Sequence, residues 1–268
     1  MRSRLLVIFM MGTLGNAAAW AEDGGNFYLG AGFDYSSGNY GTDTTTTILS
    51  IPVAGMYQNG DWLFKLTVPY VRITGNGSVV PGMGGAVPGM GGGSSGGGGM
   101  GGAGNAASTT QSGLGDAVAA VTYNMYSGIE NAFGMDLTGK VKFATASTGL
   151  GTGETDYAVQ VDVYRNFDRF TATGSLGYQV LGDPPGGDLN NAAYGMLGGN
   201  YQFTGQTAAG AELRMSQKLY ATGTGPRELV VYLSHRPDER LRISGYLLKG
   251  LSDGSPDSGI GAMITTAL

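Results

Sequence analysis

The chain has no cysteine and a single histidine. The first absence excludes disulfide scaffolds, cysteine-ligated zinc or iron–sulfur centres and thiol nucleophiles. The second excludes a histidine-rich metal site and makes any histidine-dependent catalysis hang on His235. Charge is also scarce: 13% of residues are Asp, Glu, Lys or Arg, about half the share usual in a soluble domain. Such a surface is poorly protected against aggregation in water, a demand that solvation by lipid removes. No run reaches 18 consecutive apolar residues, which excludes a transmembrane helix. The formal charge is −5 and no basic stripe exists, so nucleic acid is not an expected partner. Glycine, by contrast, is abundant, at 51 of 268 residues.

The first residues supply a compartment. Arg2 and Arg4 precede an apolar run from Leu5 to Leu14, and Ala19-Trp20-Ala21 is a small-x-small cleavage site. This is the pattern of a secretory signal peptide over 1–21. It leaves 22–268 as one exported domain with a formal charge of −7.

That domain reads in period two. Phe133, Met135, Leu137, Gly139, Val141 and Phe143 alternate with Asp136, Thr138, Lys140 and Lys142. Tyr157, Val159, Val161 and Val163 alternate with Gln160, Asp162 and Tyr164. Neighbouring side chains in a strand point to opposite faces, so each segment has an apolar and a polar side. Twelve such segments are predicted, near 26–36, 46–57, 62–73, 116–126, 132–145, 155–166, 169–181, 191–203, 208–220, 227–235, 239–250 and 258–268. Short connections such as Asn59-Gly60-Asp61 and Asn166-Phe167-Asp168 alternate with longer ones. An even strand number with short turns at one end and longer loops at the other predicts an all-β, transmembrane antiparallel barrel of the outer-membrane type.

A soluble sandwich also alternates, but it carries its polar face outward on strands of about 5–6 residues. Here the continuous face is apolar. The mixed face carries Lys65, Asp136, Lys140, Lys142, Asp162, Glu212, Arg214, Lys218 and Arg242. Burying those nine charges in a soluble core is costly unless all are paired, whereas a wet lumen accepts them. They are the candidate lumen-lining residues; Lys140 and Lys142 project beside Asp136 on their own strand, and cross-strand pairing is expected with Asp162 and Gln160 of the next. Tyr57, Trp62, Tyr123, Phe133, Tyr201 and Phe203 flank short turns, as an interfacial aromatic girdle does.

Residues 75–104 contain 16 glycines and repeat Pro-Gly-Met-Gly-Gly at 81–85 and 88–92, with no charge between Arg72 and Asp116. This composition predicts a flexible insert within a long extracellular loop, 74–115. Met83, Met90 and Met100 invite a soft-metal reading, but nothing rigid in the pattern holds the thioethers together.

Several motifs resemble an outer-membrane transporter family associated with the phenol-degradation meta pathway. They are Val68-Pro69-Tyr70, Gly113-Leu114-Gly115-Asp116, Gly139-Lys140-Val141-Lys142-Phe143, the stretch from Gly149 to Tyr157, and the stretch from Gly250 to Asp257. Together they span about 50–260 and leave the glycine-rich insert unmatched. The chain differs from the family pattern in having Ala144-Thr145-Ala146 where Pro-Thr-Gly is usual, and Leu268 where a terminal Phe is usual. The resemblance implies an outer-membrane barrel passing small, often aromatic or hydrophobic, compounds. Its implied partners are outer-membrane lipids and lipopolysaccharide, the barrel-insertion machinery and a small-molecule solute.

The leading expectation is therefore a channel of the Gram-negative outer membrane, passing small aromatic or anionic solutes through a polar lumen without a cofactor. The alternative is a structural or adhesive barrel that anchors the glycine-rich loop. Catalysis is not expected. Ser234 and His235 are adjacent, so they point to opposite faces and cannot pair simply. A lipid-facing surface and a subunit interface have the same apolar content, so the pattern assigns no oligomeric state.

Overall fold

A computed structural model describes residues 25–75, 79–83, 85–88, 108–128, 132–184, 187–220 and 223–268, together with a short pairing of Leu5–Leu6 with Ala17–Ala18. The rest of the leader expected over 1–21 lies outside the described residues, as do Met90 and Met100.

Twelve strands form the wall: β1 (Asn26–Gly38), β2 (Thr46–Asn59), β3 (Trp62–Gly75), β4 (Val118–Ser127), β5 (Phe133–Lys142), β6 (Asp156–Phe167), β7 (Phe170–Val180), β8 (Ala192–Gln202), β9 (Thr207–Ser216), β10 (Arg227–His235), β11 (Leu241–Gly250) and β12 (Ser258–Ala267). Each pairs antiparallel with its sequence neighbours, and β12 pairs with β1, so the sheet closes. Closure leaves no open edge for lipid to solvate. Strands spaced about 4.8 Å apart and tilted by about 40° give a twelve-stranded backbone cylinder roughly 24 Å across. Among the described residues no helix is long and apolar enough to cross a membrane. The strands run 9 to 14 residues, the length needed to cross hydrocarbon at a tilt.

Alternation sets the two faces. Val159, Val161, Leu176, Leu197, Leu233, Leu247 and Ile264 are exposed on the outside. Thr122, Thr138, Gln160, Thr173, Gln179 and Asn200 are buried on the inside. The aromatic residues beside the short turns pack ring against ring: Phe27 on Tyr57, Trp62 on Tyr123 and Tyr126 on Phe133 tilted, and Phe167 on Phe170 stacked. A charge placed mid-strand on this outer belt loses its hydration. Leu176→Arg, at a residue 69% exposed, is expected to lower stability in bilayers by about 2–4 kcal/mol. Urea titration of folding, followed by tryptophan fluorescence, measures it.

The tightest turns follow from local backbone chemistry. Asn59 pairs with Trp62 around Gly60-Asp61, and Phe167 with Phe170 around Asp168-Arg169. Gly60 and Asp168 take left-handed φ of 57° and 54°, which glycine and aspartate adopt at little steric cost.

Glycines inside the strands seat tyrosines. Gly134 opposes Tyr164, Gly177 opposes Tyr194, Gly210 opposes Tyr232 and Gly261 opposes Tyr246. A Cβ at any of the four would lie 2.0–2.4 Å from the facing ring. Each inward tyrosine therefore lies flat over a bare backbone, as aromatic side chains do across from glycine.

Two regions depart from the sequence pattern. Residues 109–114 form a short strand on the upper half of β3, above β4, so that the two share one place in the wall. Val79–Gly82 and Gly85–Pro88 form a hairpin. Its Val79 is 1% exposed among Tyr40, Ile48, Val71, Ile73 and Leu150. Val80, also 1% exposed, packs on Leu181, Leu189, Ala192 and Leu219. Adjacent residues of a strand point in opposite directions, so the hairpin reaches from the β2–β3 wall to the β7–β9 side, across the long-loop mouth. This part of the glycine-rich insert is folded into the barrel, where composition alone predicts a free loop. Met83 stands at its turn.

Candidate functional site

The inner wall carries charge in two sectors. On β5 and β6, Asp136 accepts a hydrogen bond from Asn124 Nδ2 at 2.6 Å. Lys140 donates to Gln160 Oε1 at 2.8 Å and lies 5.8 Å from the centre of the Tyr194 ring. Asp162 accepts from Gln160 Nε2 at 2.6 Å and from Ser175 Oγ at 2.5 Å. Lys65 lies on the same side, on β3, and is buried. The facing sector, on β1, β9, β10 and β11, is acidic. Glu212 pairs with Arg214, Asp34 accepts from the Tyr246 hydroxyl, and the charge of Arg214 reaches both Asp34 and Glu228.

A third cluster sits at the long-loop end of the wall. Lys142 Nζ lies 3.2 Å from Asp116 Oδ2 and 2.9 Å from Asp156 Oδ2, and donates to Thr152 Oγ1 at 2.6 Å. All four side chains are buried. The other oxygen of Asp116 accepts the backbone N–H of Thr145 and Ala146, and that of Asp156 accepts the N–H of Gly182. Gly115 N–H donates to Pro69 O, and Tyr70 pairs with Leu114. Three motifs far apart in sequence thus meet at one ammonium, and the fourth, Val68-Pro69-Tyr70, braces the segment before Asp116. Nearby, Tyr40 is held by Ser36 at 2.9 Å, and burial pushes its hydroxyl up to about 12, so it stays neutral.

The nine residues singled out from the sequence are not all placed alike. Lys65, Asp136, Lys140, Lys142, Asp162, Glu212, Arg214 and Arg242 occupy inward positions of their strands. Lys218 does not: β9 ends at Ser216, and Lys218 is exposed in the following loop. The pairing also differs. Lys142 takes Asp116 and Asp156 in place of Asp162 or Gln160, because its position at the end of β5 sets it beside the long loops. Lys140 does take Gln160 as expected, and reaches Asp162 only through it. Arg242 stands near the short turns, where Arg236 and Tyr28 feel its charge.

Asp116, Asp156 and Glu228 escape the sequence reading. Asp116 precedes β4, Asp156 opens β6 and Glu228 stands second in β10, and positions at or beyond a strand end carry little period-two signal. His235 Nδ1 lies 2.9 Å from Thr207 Oγ1 at the short-turn end.

No family model matches the chain, and no curated protein matches it. Solved structures do. An outer-membrane channel from Pseudomonas putida F1 is 12% identical with a TM-score of 0.70, covering 92% of this chain and 97% of that one. The Pseudomonas putida toluene transporter is 12% identical with a TM-score of 0.42, covering 92% and 90%. The transport unit of an autotransporter from Escherichia coli is 11% identical with a TM-score of 0.49, covering 92% and 91%. The chain has the fold of a Gram-negative outer-membrane β-barrel.

Proposed function

We propose that the protein is a channel of the outer membrane that passes small solutes along its charged inner wall, with the long-loop end outside the cell. The observation that carries this reading is the closed barrel whose buried face is polar and divided by charge. A barrel serving only as an anchor needs no such division. Lys65 and Lys140, balanced by Asp136 and Asp162, face a wall where Asp34, Glu212 and Glu228 outnumber Arg214, so the lumen is more acidic on one side and a field runs across it. Polar and ionic solutes orient in such a field, and pore-lining charge sets what enters. The solutes expected are small aromatic or anionic compounds, in keeping with the inward tyrosines and the lysines beside them. Likeness of fold to the Pseudomonas putida channel agrees with passage.

The purified barrel in planar bilayers tests the proposal. Stepwise unitary conductance is expected, with swelling of proteoliposomes in small organic solutes. A barrel that inserts but neither conducts nor swells vesicles would sink the channel reading and favour the anchoring one.

A further inference from the structure

The inner wall holds a niche rich in donors and poor in acceptors. Lys65 is 8% exposed, and among the described residues no hydrogen bond or ion pair reaches its ammonium. Register places Lys65, Ala120 and Lys140 at one level of three adjacent strands. Ala120, between the two lysines, carries only a methyl group. Lys140 leans the other way, to Gln160 and Tyr194, yet its charge reaches Lys65. One level toward the short turns stand Leu63, Thr122 and Thr138. The two threonine hydroxyls share one hydrogen bond of 2.9 Å. That bond uses one of their two protons, and the other remains to donate.

We propose that Lys65, Lys140, Thr122 and Thr138 form a binding station for a small organic monocarboxylate on the inner wall. Two like charges held close repel, and an anion between them removes the repulsion. One negative charge is the right amount, because Asp162 already opposes the charge of Lys140 while nothing described opposes that of Lys65. Carboxylate oxygens accept the ammonium and hydroxyl protons as charge-assisted bonds. Leu63 and Ala120 offer an apolar backing for the carbon part. The station deepens the channel reading, on which its role in passage rests.

The test reads binding without conduction. The chain has five lysines, so the detergent-solubilised barrel labelled with 15N at lysine Nζ gives a simple spectrum. Lys65→Arg identifies the Lys65 signal. Titration with benzoate in chloride-free buffer is expected to shift that signal saturably, whereas benzyl alcohol leaves it in place. Thr122→Val is expected to weaken benzoate binding about tenfold, Lys65→Gln to abolish it, and Lys65→Arg to retain it by calorimetry. A Lys65 signal that ignores benzoate overturns the station, as does one that chloride shifts at equal concentration. A non-conducting barrel with an intact benzoate shift would defeat only the channel reading. A conducting barrel without the shift would defeat only the station.

Discussion

Excising residues 79–88 and rejoining the chain is expected to raise unitary conductance severalfold. The twelve wall strands pair with one another and none depends on the hairpin for a partner, so the barrel closes without it. The hairpin does cross the long-loop mouth, where Val79 and Val80 are each 1% exposed in separate apolar clusters. An isolated two-stranded hairpin is marginal in water. This one is therefore held by its burial, at about 1.5–3 kcal/mol for each valine. Val79→Asp with Val80→Asp is expected to release it and to give a larger, noisier conductance than the wild type, short of full excision. Equal conductance in all three proteins would show that the hairpin leaves the path clear.

Strand positions were legible because a lipid-facing wall enforces alternation along its whole length. The segment expected near 62–73 is β3 at Trp62–Gly75, and that near 155–166 is β6 at Asp156–Phe167. The segment near 208–220 overran, because Lys218 continues the polar phase after β9 has ended at Ser216. The hairpin at 79–88 was not legible. Its glycine and proline content reads as loop chemistry, and only tertiary burial of two valines turns it into structure. The strand at 109–114 was hidden for a related reason, since it borrows its hydrogen bonds from β3 and has no apolar face of its own.

The candidate site was legible by half. Period two put Lys65, Lys140, Asp162 and Glu212 on one face, but it says nothing of which strand end meets which loop. Glycine in the strands was visible, yet the tyrosine opposite Gly134, Gly177, Gly210 and Gly261 requires the register. The motifs carried more than the periodicity did at this point: Gly113–Asp116 and Gly149–Tyr157 contain all three side chains that gather at Lys142.

Removing that lysine is the second large effect expected. Lys142 is 2% exposed and stands between Asp116 and Asp156, so two buried carboxylates share one cation. Lys142→Met leaves both without a counter-charge. Breaking a buried ion pair by removing one partner costs about 3–5 kcal/mol, and this one also holds Thr152 and, through Asp116, the backbone of 145–146. The variant is expected to unfold from bilayers at markedly lower urea and to lose protease resistance first near 143–155. Adding Asp116→Asn and Asp156→Asn removes the two uncompensated charges, while the amide oxygens still accept the backbone N–H groups of 145, 146 and 182. The triple variant is therefore expected to regain most of the lost stability. That recovery separates charge from packing, because a purely steric role for Lys142 would leave the triple variant as weak as Lys142→Met.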